Sequence, residues 1–293
     1  MKGWLVANHF IATKKFVEIN ELLLKAAAKA GVELELKTNL ELARDMAMEG
    51  LPREGAPDFA LFWDKDVRLG RLLELKGLRL FNSARGVEVC DDKSLTYLEL
   101  MGSGLAMPKT MLVPKLFHPE DWAGHREFLE GAGAALGFPL VAKECYGSFG
   151  EQVYLASSEE ELRGILNRAG TRPMILQEFI SSSAGRDVRI NVVGGEPAAA
   201  MYRYSASGDF RANLTNGGLM KAWTPDAAQL EMAVRATEAL GLDYAGVDIL
   251  FGRDGEPILC EVNSNAHFKN IYECTGVNTA ELIIRHVAAA VKS

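Results

Sequence analysis

Short apolar runs separated by amphipathic stretches open the chain. Residues 4–7 read as a strand, and Phe16 to Ala30 repeat apolar positions at helical spacing until Gly31, a residue suited to the left-handed turn that ends helices. A strand at Val32 to Leu36 follows, and Asp58 to Trp63, Val67 to Leu75 and Arg79 to Phe81 repeat strand, helix, strand. This order predicts a small parallel sheet covered by helices, an α/β lobe over residues 1–90. The pattern then changes. Pro139 to Lys143 and Gln152 to Leu155 read as strands around a glycine loop, and Glu159 to Arg168 as a helix, giving an α+β lobe over 91–175. From about Met174 onward antiparallel strands dominate, interrupted by a helix at Thr224 to Leu240 with Thr224 as cap, Pro225 in the first turn and Gly241 at the end. Leu230, Ala233, Val234 and Thr237 form its buried stripe, and the third lobe covers 176–293.

Composition narrows the class. The 293 residues are 48% hydrophobic and 24% charged, as in ordinary globular proteins. A net charge of -7 argues against a general nucleic-acid or membrane binder, which usually carries a basic face. Cys90, Cys145, Cys260 and Cys274 form no C-x-x-C pair and read as reduced thiols. Asn8, His9, Lys14 and Lys15 interrupt and follow the first apolar run, which suits a buried strand better than a signal peptide. No apolar run approaches the ~20 residues of a membrane span, so the cytoplasm is the expected location.

The strongest chemical signal is Gly246 to Asn263, GVDILFGRDGEPILCEVN. A two-residue turn at Asp254 and Gly255 sets Arg253 against Glu256 and, counting outward, Asp248 against Glu261, with Asn263 on the same face. Facing carboxylates repel, and a divalent cation would offset this; oxygen donors without His or Cys suit magnesium. The three oxygen donors converge without a basic neighbour among them. The competing reading is a solvated face carrying unrelated acids.

Three weaker signals accompany it. In PLVAKECYGSFG, Lys143 ends an apolar strand and Gly147 and Gly150 bracket a loop that leads into another strand, resembling a phosphate-covering flap rather than a Walker A loop. In MILQEFI, Gln177 to Ile180 end a strand before a Ser-rich run, a hinge fit for adenine. Arg186, Arg189, Arg203 and Arg211 concentrate cationic forks in one lobe of an acidic protein. Each is open to a bland reading as a plain hairpin, a plain strand or surface ion pairs.

The ordered set FNS, DDK, QEFI, GRDVRI, GDFRANL, GVDIL and EVNSN resembles the ATP-grasp superfamily, specifically RimK-type glutamate ligases, over roughly residues 80–290. The resemblance implies a three-lobed fold in which two α+β lobes clasp ATP. It also implies that Lys93 and Lys143 contact phosphates, that the flap at Gly147, Ser148 and Gly150 covers them, and that Gln177, Glu178, Phe179 and Ile180 hold adenine. Asp187 corresponds to the nucleotide-binding acid at the hinge exit; Arg211 and Asn213 correspond to a segment against the phosphates, with Asn213 an additional metal contact; Asp248, Glu261 and Asn263 correspond to ligands of Mg2+, with Mn2+ as the alternative ion. The implied activity joins a small-molecule or peptide carboxylate to an amino acid through an acyl phosphate, with Arg203 or Arg211 stabilising the tetrahedral adduct. The family often self-associates, which leaves a homo-oligomer open.

Beyond the metal strand the chain departs from the family's Ser-Pro-Gly stretch and reads Ser264, Asn265, Ala266, His267, Phe268, Lys269, Asn270, which puts the glutamate specificity in question. Trp63, Asp64 and Lys65 fall at a strand end, where open α/β sheets bind ligands. A small-molecule kinase on the same fold and a non-catalytic nucleotide-binding regulator remain as alternatives.

Overall fold

The computed structural model describes residues 1–11, 13–48, 50, 55–148, 150–212 and 217–292. The first sheet contains β1 (Lys2–Ala7), β2 (Glu33–Thr38), β3 (Phe59–Phe62) and β4 (Leu80–Phe81), all parallel, in the order β2-β1-β3-β4. Helices α1 (Lys14–Lys29), α2 (Asn39–Met48) and α3 (Val67–Leu75) connect them. All four residues of β3 and five of the six in β1 are buried, as continuous apolar runs covered by helices on both faces should be. Gly31, with φ +69°, ends α1 as its position predicts. Asp66 starts α3 by accepting from Leu69 N at 3.1 Å.

Helices α4 (Ala84–Asp91) and α5 (Lys93–Leu100) lead to a second sheet of β5 (Thr110–Leu112), β6 (Leu140–Glu144), β7 (Val153–Ala156) and β8 (Met174–Glu178). Its order is β5-β8-β6-β7 and every pair is antiparallel. Leu140, Ala142 and Leu176 pack beneath α6 (Arg126–Leu136) and α7 (Glu159–Ala169). The alternate residues Val141, Lys143, Ile175 and Gln177 face a cavity instead. Because β8 pairs with β5 and β6, the expected lobe boundary at 175/176 falls inside a strand of the middle sheet.

The third sheet is antiparallel, order β11-β10-β9-β12-β13, from β9 (Arg186–Val193), β10 (Glu196–Ser205), β11 (Gly218–Ala222), β12 (Tyr244–Phe251) and β13 (Pro257–Asn263). One face packs Val188, Ile190, Val247 and Ile249 on α8 (Ala227–Ala239) through Met232, Ala233 and Ala236. The cap of α8 is Asp226, not Thr224. Its carboxylate accepts from Gln229 N at 2.8 Å while Gln229 Oε1 accepts from Asp226 N at 3.3 Å, a reciprocal box that leaves Pro225 outside the helix. The buried stripe accordingly runs through Gln229, Met232, Ala233, Ala236 and Thr237 rather than Leu230 and Val234.

Two hairpins in this sheet carry bulges that decide which face their charged residues occupy. The Asp254-Gly255 turn is a three-residue loop, with Phe251 opposite Pro257 and Gly252 N donating to Glu256 O at 2.7 Å. Ile249 then pairs with Leu259 and Asp248 with Glu261, so Cys260 is the extra residue of a bulge. Leu259 and Glu261 have the same parity yet reach opposite faces. The predicted pairing of Asp248 with Glu261 is present, by a different route. In the other hairpin Glu196 faces Val193 across Gly194 and Gly195, and an irregularity between Pro197 and Ala199 brings Arg203 opposite Asp187.

After β13 the chain forms α9 (Lys269–Thr275) and α10 (Thr279–Lys292). Ile283, Ile284 and Val287 of α10 share one core with Ile19, Leu23, Phe59 and Phe81, tying the third lobe to the first. Asn82 fastens the same junction with every hydrogen-bonding position of its carboxamide. Its Nδ2 donates to Tyr244 O and Ser264 O, both at 2.9 Å, and its Oδ1 accepts from Asp243 N at 2.7 Å and Tyr244 N at 3.1 Å. Replacing Asn82 by Leu strands four backbone groups where the side chain is fully buried. Urea unfolding should report a loss of about 3 kcal/mol or more, and a loss under about 1 kcal/mol would show the bridge to be dispensable.

Candidate active site

The free face of the third sheet carries an alternating charge ladder. Arg189 Nε and Nη2 donate to Asp248 Oδ1 and Oδ2, both at 2.6 Å, and Arg203 Nε and Nη2 donate to Asp187 Oδ1 and Oδ2, both at 2.7 Å. Arg203 Nη2 also lies 2.9 Å from Asp248 Oδ2. The expectation of an acid cluster without basic neighbours is therefore corrected. The cations come from β9 and β10, which local hairpin counting does not include. Burial works to raise the Asp248 pKa, but Arg189 and Arg203 outweigh it and hold the carboxyl ionised. For Asp187 burial prevails and raises the pKa against the pull of Arg203, whose guanidinium is shared. Arg203 stays cationic, since the two carboxylates more than offset its own desolvation.

Glu261 sits at the edge of this ladder, 3.9 Å from Arg189 Nη2, and its Oε1 accepts from Asn263 Nδ2 at 3.0 Å. Asp187, Arg203, Asp248 and Arg189 cancel in formal charge, so Glu261 is the surplus negative group. Across the cavity Lys143 is 8% exposed, and among the described residues no carboxylate lies within ion-pair distance of it. The polar atom recorded near its Nζ is Cys260 Sγ at 3.9 Å. Burial pushes that thiol up to about 11 despite Lys143, so it is a neutral neighbour. A buried ammonium without a counter-charge marks a place where an anion would be stabilised.

Lys143, Lys93, Gly147, Ser148, Gly150, Gln177, Glu178, Phe179, Ile180, Asp187, Arg203, Arg211, Asp248, Glu261 and Asn263 all line one cavity between the second and third sheets. Asn213 lies outside the described residues. The flap is held by cations: Lys93 Nζ donates to Gly147 O at 3.3 Å, Arg211 Nη1 to Gly150 O at 2.8 Å, and Lys65 Nζ to Ser148 Oγ at 3.4 Å. Asp209 orients Arg211 through contacts of 3.1 and 2.9 Å. At the hinge, Gln177 Nε2 donates to Thr110 Oγ1 at 2.8 Å and Glu178 Oε1 accepts from Lys109 N at 2.7 Å, while Phe179 meets Phe210 edge-on at 6.2 Å. Arg186 is turned to Ser182 O at 2.8 Å and does not join the ladder.

A second cavity of 720 Å3 opens between the first and third lobes and shares Arg203, Glu261 and Asn263 with the first. Its walls were flagged separately in the sequence, Trp63, Asp64 and Lys65 as a ligand-binding strand end and Ser264 to Asn270 as a departure from the family, but their meeting in one cavity joins distant segments and was not legible. Arg189 was visible as part of a basic cluster, but its role as the partner of Asp248 depends on a nonlocal strand pairing.

An antiparallel sheet presenting acids to a cation-bearing flap, with an apolar hinge between, defines a fold of the ATP-grasp class. Residues 90–287 match the RimK-like ATP-grasp domain, and the chain belongs to that family of ATP-grasp ligases. It is 30% identical over 274 residues to the uncharacterized MG012 homolog of Mycoplasma pneumoniae, covering 92% of each chain. It is 33% identical over 219 residues to the probable alpha-L-glutamate ligase of Parasynechococcus marenigrum, covering 74% of this chain and 45% of that one. The chain thus spans nearly all of the mycoplasma relative but less than half of the named ligase. The fold matches the RimK domain ATP-grasp protein of Sphaerobacter thermophilus with a TM-score of 0.73 at 24% identity, covering 98% and 99% of the two chains. No helix among the described residues is long and apolar enough to cross a membrane.

His267 lines the second cavity, its ring edge-on to Phe16 at 4.6 Å. Burial, Lys15 and Arg189 lower its pKa to about 4, against an ordinary value near 6.5. A base whose folded pKa is depressed binds protons preferentially in the unfolded chain between those values. Its contribution to stability is complete above about pH 6.5 and falls away toward pH 4. The difference is worth roughly 3 kcal/mol, so His267→Gln should flatten the acid limb of a stability profile measured between pH 7 and pH 4. Parallel limbs in the two proteins would contradict this.

Proposed function

We propose that the chain joins a carboxylate to an amine, consuming ATP through an acyl phosphate, with an amino acid such as glutamate as a reactant. The observation that carries this reading is the meeting of two cavities at Arg203, Glu261 and Asn263, one of them holding the unpaired Lys143 ammonium. Such a layout suits a triphosphate on one side and an acid and an amine on the other. Glutamate is favoured by the name of the Parasynechococcus marenigrum relative.

In this reading Lys143 and Lys93 bind phosphate oxygens, Gln177 to Ile180 line the adenine pocket, and the Gly147 to Gly150 flap excludes water. A carboxylate oxygen attacks the γ-phosphorus and ADP leaves with the bridging electron pair. The amine, having given up its ammonium proton to solvent, attacks the acyl carbon through its lone pair; the C–O bond to phosphate breaks, inorganic phosphate departs, and the nitrogen loses a second proton to leave the neutral amide. Negative charge develops on the transferring phosphoryl group and later on the tetrahedral oxygen; Arg203 and Arg211 are the cations assigned to it. Asp187 serves by fixing the plane of Arg203 through two parallel bonds, a positioning role rather than a direct nucleotide contact.

The donor set fits magnesium that arrives with phosphates better than a free-standing metal cage. Asp248 is already shared with two guanidinium groups, and Glu261 is the surplus carboxylate, with Asn263 as a neutral oxygen donor. Few protein ligands supplemented by phosphate oxygens and water is the usual magnesium arrangement. When bound, the ion would neutralise phosphate charge; Asp248, Glu261 and Asn263 would hold it.

With ATP, magnesium and a panel of acids and amino acids, mass analysis should find an amide formed together with ADP and phosphate. Glu261→Gln should cut that turnover by about a hundredfold or more without loss of fold. Lys143→Met should weaken ATP binding by about tenfold or more in calorimetry, with no fall in thermal stability, because the ammonium has no counter-ion among the described residues. A stable phosphate ester as product would replace the ligase by a kinase, and turnover that survives Glu261→Gln would remove the metal assignment.

A further inference from the structure

The second cavity contains polar atoms that the fold leaves unanswered. Asp64 is 5% exposed at the C-terminal end of β3 and lines this cavity. Its Oδ1 accepts from Asn8 Nδ2 at 3.0 Å and from Lys65 N at 2.7 Å, but its Oδ2 is buried with no hydrogen-bond partner among the described residues. The adjacent lysine does not serve it, since Lys65 Nζ is turned to Asp91 at 2.6 Å. Asn265, from the loop after β13, donates through Nδ2 to Asp64 O at 3.0 Å and leaves its own Oδ1 buried and without a hydrogen-bond partner among the described residues. Two acceptors, one of them a carboxylate oxygen, therefore belong to residues that line one cavity and have no donor among the described residues.

The position in the sheet points the same way. In the order β2-β1-β3-β4 the chain reverses direction of travel between β1 and β3, and the Asn8–Asp64 bond spans the C-terminal ends of those two strands. Crevices at such switch points are where open parallel sheets receive ligands. An acceptor of this kind is stabilised by a cationic donor, because burying an ionised oxygen without a partner is strongly unfavourable. Burial raises the Asp64 pKa, as it does for any carboxyl withdrawn from water, and a cationic ligand beside it would lower it again.

We propose that Asp64 Oδ2 and Asn265 Oδ1 form the subsite that recognises the ammonium group of the amino-acid substrate in the second cavity. The fate of that amine rests on the ligase reading, but its binding does not. At 720 Å3 the cavity has room for an amino acid beside a second small substrate.

The test is calorimetric titration of the ATP-free chain with each proteinogenic amino acid, and of the one that binds best against its analogue lacking the amino group. At least one amino acid should bind, its deamino analogue should bind about tenfold more weakly or worse, and Asp64→Asn should lose about tenfold or more of the amino-acid affinity. ATP affinity and thermal stability should hold in the variant, whereas a purely structural Asp64 would lower the melting temperature and leave the discrimination intact. Equal binding of the analogue, no effect of Asp64→Asn, or no amino acid bound by the wild type each overturns the subsite. In parallel rate measurements, amide formation with an amine KM unmoved by Asp64→Asn would overturn the subsite and spare the ligase. Binding that depends on Asp64 without amide formation from any acid would sustain the subsite and reject the ligase.

Discussion

Two guanidinium groups and two carboxylates can be buried side by side on one sheet face because each neutralises its neighbour. Arg203 and Asp248 are 4% and 3% exposed, a burial that either ion alone would resist by several kcal/mol. The ladder from Asp187 through Arg203 and Asp248 to Arg189 makes that burial tolerable, and the site is arranged around its ends. At one end Glu261 is left uncompensated. Across the cavity, Lys143 is left uncompensated with the opposite sign. Phosphate and metal chemistry is assigned to the space between these two surpluses, and the neutral interior of the ladder keeps the arginine planes fixed beside it.

Much of this was legible because the first lobe obeys simple rules. Val6, Phe59 to Phe62 and Leu80 sit in runs apolar on every position, which only a sheet covered on both faces accommodates. The facing of Asp248 and Glu261 was also legible, though the two-residue turn assumed for it was in fact a longer loop with a bulge at Cys260. Residue parity fails at such a point, since Leu259 enters the core and Glu261 the cavity. What stayed hidden depends on contacts between distant segments. Arg189 beside Asp248 is separated from it by 59 positions, and the Asn82 bridge reaches more than 160 positions to Tyr244 and Ser264. No local pattern encodes either.

The lobes are joined by different means. The first and third share a continuous apolar core with Phe268, Ile283 and Val287, reinforced by Asn82, and behave in packing terms as one unit. The middle lobe has a core of its own around Leu140, Leu162 and Leu176. Among its connections to the remaining chain are single backbone bonds, such as Leu259 N to Ala106 O at 2.8 Å. Relative movement of the middle lobe therefore bears on both cavities, since Ser148 lines both and Glu151 lines the one beside Asp64.

The grip of Arg211 on Gly150 O has an implication for affinity. For an arriving phosphate, a carbonyl already seated on that guanidinium is a tethered rival, present at a local concentration set by the span of the β6–β7 loop and independent of how much protein is in solution. With Arg211 in the phosphate-binding role proposed for it, loop length and stiffness become determinants of nucleotide affinity, even for loop residues that never touch the nucleotide.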